Sequence, residues 1–130
     1  MAIGGYNQLP LISLDTQLGA EAYQFQSARA ALYAYLNTTK IKTLYVPNYI
    51  CDSIFPALKS LAVEIKFYSV NERLLPIDCP KLIKKSDSRI LLVNYFGLLN
   101  EQIKMLTAAE PELFIVDNSQ ALFCEHIEGT

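Results

Sequence analysis

The sequence predicts an α/β protein built on a mostly parallel sheet of about four strands with flanking helices. Three observations carry that expectation. "RILLVNYF" and "LFIVDN" are unbroken apolar runs, the mark of strands covered on both faces. Segments with helical spacing alternate with the strands, and a crossover of that kind makes the strands it joins parallel. Finally, 130 residues with 52% hydrophobic and 18% charged side chains suit one packed core and argue against disorder.

Residues 1–20 hold glycines and a proline but no sustained periodicity, so an irregular N-terminal arm is expected ahead of a single domain spanning 21–130. From about Glu21 the pattern turns helical. "SARAALYAYL" suits a helix buried on much of its circumference, starting at Ser27 or at Gln26 before it, since a serine hydroxyl satisfies free N–H groups of a first turn. "KTLYVP" reads as a short strand closed by Pro47. "CDSIFPALKSL" reads as a second helix that Pro56 either kinks or delays. "VEIKFYSV" alternates, with Val63, Ile65, Phe67 and Ser69 on one face. Residues 71–88 form a polar loop with Pro76 and Pro80. "RILLVNYF" is the third strand, Asn100 is placed to cap a short helix through about Ala108, and Pro111 ends the connection to the last strand, "LFIVDN".

The net charge of −2 and a pI near 5.3 give no electrostatic case for nucleic acid. Lys81, Lys84 and Lys85 gather beside Asp78 and Asp87 and read as a solvated loop. No apolar run approaches the roughly 18 residues of a membrane span, and "MAIGGYNQLP" has no basic segment followed by an apolar one. Cys51, Cys79 and Cys124 are odd in number and share no metal-like spacing. Reduced thiols in a cytoplasmic protein, away from membranes and nucleic acid, are expected.

In open α/β sheets, ligands collect beyond the carboxyl ends of the strands. Three groups fall at such ends or at a helix start. At "QSARAAL" small residues leave backbone N–H groups open to an anion, with Ser27 and Arg29 adding a hydroxyl and a cation. At "FIVDNSQALF" a buried-looking strand ends on Asp117, with Gln120 three residues on. A carboxylate there needs a partner, either a protonated ring nitrogen or the N–H groups of the following turn. "VNYFG", residues 94–97 with the valine before them, ends the third strand on an amide, two rings and a glycine. Neither Cys124 with His126 nor Cys51 with Asp52 makes a nucleophile–base pair.

"IGGYNQL", "SARAALYAYL", "LYVPNYICDSIFPAL", "FYSVNERLLPI", "LLVNYFG" and "FIVDNSQALF", in that order, resemble the DegT/DnrJ/EryC1/StrS family of pyridoxal-phosphate-dependent sugar aminotransferases, in particular members that open with a "GGY" arm. The resemblance implies part of a type I aminotransferase large domain. It places Ser27, Ala28 and Arg29 at the cofactor phosphate, with Ala28 where the family has glycine and Arg29 where it has threonine. It places Asp117 against the pyridine nitrogen and Gln120 near the ring hydroxyl. At Cys51 the family often carries a ring that stacks on the cofactor; here Tyr49 is the nearby aromatic.

In the family the Schiff-base lysine lies a few tens of residues beyond the segment matching "DNSQ". The lysines of this chain run from Lys40 to Lys104 and all precede that segment, so none aligns with it. The expectation is therefore a truncated or degenerate N-terminal half. Its ancestral role would be transfer of an amino group to a nucleotide-linked keto-sugar, with no such activity by the chain alone. The alternatives are half of a split transaminase, completed by a lysine-bearing chain, and a noncatalytic α/β interaction module. The resemblance also implies that "TLYV" loses its neighbours and "FIVDN" becomes an open edge. Either "TLYV" pairs with "FIVDN", or copies close each other's edges in a dimer or larger homo-oligomer.

Overall fold

A computed structural model describes residues 23–77, 86–121, 123–125 and 127–130. The arm expected over 1–20, the loop residues Asp78, Cys79, Pro80, Lys81, Lys84 and Lys85, and His126 lie outside them.

The fold is α/β, with four parallel strands: β1 (Thr43–Pro47), β2 (Glu64–Tyr68), β3 (Ser88–Val93) and β4 (Phe114–Asp117), in the order β2-β1-β3-β4. β1 is central, aligned through Thr43 with Glu64 on one side and with Ser88 on the other. This corrects the expectation that "TLYV" either lacks a neighbour or pairs with "FIVDN": it has two neighbours, and β4 is neither of them. The physical reason is burial. Leu44 and Val46 are fully buried and point to one face, while Tyr45 packs on the other, so β1 gains most from a place covered on both sides. β2 takes an edge and carries the charged, exposed Glu64 and Lys66 there, a pairing that discourages further strands.

Each face of the sheet has its own core. Helix α1 (Ala28–Thr38) and the single-turn helix α2 (Phe55–Leu58) bring Leu36, Ile54 and Leu58 onto Leu44, Val46 and Leu91. Helix α3 (Asn100–Thr107) brings Leu99 and Ile103 onto Ile90, Leu92 and Phe114 from the other side. Ser27 starts α1 as expected, its hydroxyl oxygen accepting the Ala30 N–H at 3.2 Å. Burial around much of α1 is not what the structure has, for Leu36 alone is buried there. The rest of the helix is half-buried or exposed.

"CDSIFPALKSL" is not one helix either. A 3-10 turn (Asp52–Ile54) precedes α2, and Pro56 sits in its first turn, where a missing N–H breaks no bond. In and beside β2, Val63 and Ile65 pack on the α1 face, but Phe67 is exposed against the Phe55 ring and Ser69 is exposed. Tyr68 turns to the opposite face and donates its hydroxyl to the Leu91 carbonyl at 2.8 Å. At α3 the expected cap moves: Asn94 Oδ1 accepts the Leu99 N–H at 3.2 Å. Asn100 is already helical, and its Oδ1 is buried with no partner among the described residues.

Candidate functional site

The connections from β1 and β3 lead to opposite edges of the sheet, so the carboxyl ends of these two strands mark the switch point where an α/β sheet opens a crevice. A cleft of about 1380 Å³ lies there and continues along β3 and β4. The part of its wall around the strand ends draws on separate stretches of sequence. The α1 start supplies Ser27, Ala28 and Arg29; the loop after β1 supplies Tyr49, Cys51 and Ser53; the turn after β3 supplies Tyr95 and Phe96; and the end of β4 supplies Asp117, Asn118, Ser119 and Gln120. All seven residues singled out in the sequence therefore line one cavity: Ser27, Ala28, Arg29, Tyr49, Cys51, Asp117 and Gln120.

Local hydrogen bonding explains how each part is held. Arg29 Nη1 donates to the Ser53 carbonyl at 2.9 Å and ties the helix start to the β1 loop. Cys51 Sγ lies 3.1 Å from Ser53 Oγ. Hydrogen bonding from the Ser53 side chain, then from its backbone, holds the Cys51 thiol below its ordinary pKa, and the Arg29 charge works in the same direction. Tyr95 is buried and donates its hydroxyl to the Tyr49 carbonyl, with the two rings 5.6 Å apart. Burial, then the neighbouring Tyr49 and Asp117, push the Tyr95 hydroxyl up to about 12. Tyr49 itself remains exposed on the cleft.

The β4 end is organised by Asn94, which is fully buried. Its backbone N–H donates to the Asp117 carbonyl at 3.0 Å, and its Nδ2 donates to Asn118 Oδ1 at 3.0 Å. Asp117 Oδ1 accepts the Ser119 N–H at 2.8 Å, which closes the turn into the cleft. One carboxylate oxygen thus serves the turn, and the other has no hydrogen-bond partner among the described residues. Gln120 is exposed beyond it.

Ser53 was not visible in the sequence as a site residue, whereas Tyr95 and Phe96 belong to the candidate group "VNYFG" but had no ligand role assigned. The usable signal was "VNYFG" at a strand end, once that strand is known to border the switch point. No lysine is among the described residues that line the cleft, and Lys104 is engaged by Glu101 at 3.2 Å and Glu125 at 2.8 Å.

No protein-family model matches the chain, and no curated protein is found to be similar to it. None of the helices described is long and apolar enough to cross a membrane.

Proposed function

We propose that the cleft binds a planar, anionic cofactor of the pyridoxal-phosphate class noncovalently, in an aminotransferase-like domain. The observation that supports this reading is the convergence of residues from the α1 start, the β1 loop and the β4 end on one crevice at the switch point. The residues present fit such a group. The N-terminus of α1, with Ser27, Ala28 and Arg29, would take the phosphate, the free oxygen of Asp117 would take the protonated ring nitrogen, and Gln120 would reach the ring hydroxyl. Bound there, the cofactor supplies an electron sink.

The chain's own part is binding and orientation. Asn94 fixes the Asp117 backbone, and Arg29 fixes the β1 loop against the helix start. No lysine is among the described residues of the cleft wall, so amino transfer to a nucleotide-linked keto-sugar would need a lysine from outside them, as from a complementary lysine-bearing chain. Cytoplasmic location belongs to the same reading. A second partner, another copy of the chain, is favoured by β4, which pairs on one side only among the described residues.

The test is a visible-absorption titration of the chain with pyridoxal phosphate. We expect a saturable shift in the wild type that weakens tenfold or more in Asp117→Ala. An identical shift in that variant would remove Asp117 from the site and the reading with it.

A further inference from the structure

Two described residues other than glycine hold a left-handed backbone, Leu74 at φ +60° and Phe96 at φ +54°. This region disfavours any side chain with a Cβ, so a large apolar residue in it needs compensation. Leu74 has it, because its side chain is half-buried against the core on the α3 face. Phe96 does not: its side chain is 71% exposed. The backbone leaves no easy escape, since the Gly97 N–H donates to the Asn94 carbonyl at 3.3 Å and the Leu98 N–H to the Tyr95 carbonyl at 3.0 Å. Gly97, also left-handed at φ +74°, fits closely against Cys124, whose Sγ would lie 3.0 Å from an added Cβ. The turn uses glycine at one left-handed position and a phenylalanine at the other. Folding alone gives no return for that ring.

The ring does, however, line the cleft, in the same wall as the exposed Tyr49, the carboxylate of Asp117 and the amide of Asn118. We propose that Phe96 is a ligand-contact residue, presented by the strained turn so that its face meets a planar heteroaromatic ring held at the mouth of the cleft. A small molecule suits this wall better than a protein surface. Its rings are interleaved with a carboxylate, amides and a guanidinium that would satisfy the polar edge of a flat ligand. The inference rests on the reading of the cleft as a ring-binding site, but not on which ring atom faces Asp117.

Glycine is the informative substitution, because it removes the ring and also relieves the backbone. The wild type, Phe96→Gly and Phe96→Tyr would be titrated calorimetrically with pyridoxine 5′-phosphate, which has no aldehyde to react with surface lysines, and with ribose 5-phosphate as a control without an aromatic ring. Thermal unfolding and sedimentation would be measured on the same samples. Phe96→Gly is expected to melt at or above the wild-type temperature, to lose tenfold or more in affinity for pyridoxine 5′-phosphate and to keep any affinity for ribose 5-phosphate, while Phe96→Tyr binds like the wild type. Unchanged affinity in Phe96→Gly overturns the inference and leaves the cleft reading standing. A lowered melting temperature in Phe96→Gly makes the ring structural and overturns the inference, as does a change in self-association with affinity intact. Absence of binding in the wild type itself overturns the cleft reading and this inference together.

Discussion

At the scale of single residues, Asn94 carries more of the site than any ligand-facing group. One buried side chain accepts the Leu99 N–H and donates to Asn118, while its own N–H holds the Asp117 carbonyl. Removing the amide orphans a helix-start donor and frees the Asn118 side chain. Asn94→Ala should therefore destabilise the fold by about 2–4 kcal/mol, read from denaturant unfolding. A loss under about 0.5 kcal/mol would mean that water replaces the amide. Tyr95 gives a prediction in pH. Its hydroxyl rises from the ordinary 10.0 to about 12 in the fold. The unfolded chain therefore releases this proton first. Stability from Tyr95 is complete below pH 10 and is lost as pH climbs from about 10 to about 12. Tyr95→Phe should flatten that alkaline decline in unfolding midpoints, and an unchanged slope would assign the decline to other groups.

At the scale of elements, β4 is an edge strand with little to blunt it. It has four residues, one paired side and only half-buried side chains after Phe114. Unlike β2, it carries no lysine to discourage pairing. The outer edge should dock on another copy, so that amide exchange at Val116, whose N–H points away from β3, slows as protein concentration rises through the dimerisation range seen in sedimentation. Exchange independent of concentration would show that the edge stays open. The part played by α1 belongs at this scale as well. Leu36 is anchored near β1, and other residues of the helix line the cleft.

At the scale of the whole molecule, much of the fold could be read in the chain. Unbroken apolar runs marked β3 and β4, because double-sided burial leaves a composition that survives without context. The Ser27 start was legible for a similarly local reason: a hydroxyl before small helix formers has one common use. Strand order was not legible. It depends on which strand gains most from two covered faces, a comparison between elements that no single segment contains. The candidate site divides the same way. Asp117 and Ser27 were visible as chemistry out of place; Phe96 stood in the candidate group "VNYFG", but the left-handed backbone that sets it apart was not legible.

The order β2-β1-β3-β4 also bears on how the chain reaches its structure. The central seam joins Thr43 to Ser88, and everything on the site's wall depends on that join. It closes a loop of roughly 45 residues, and such distant pairings slow folding because entropy is lost before contacts repay it. On a ribosome, β1 and β2 emerge and can pair early, yet the carboxyl ends that shape the cleft cannot meet until β3 has followed. For that interval β1 has one flank bare, and a passing strand from a neighbouring nascent chain would fit it as well as β3 does. Expression at low temperature and low density, which thins out neighbours while the seam closes, should therefore raise the yield of correctly assembled protein more than any change made after synthesis.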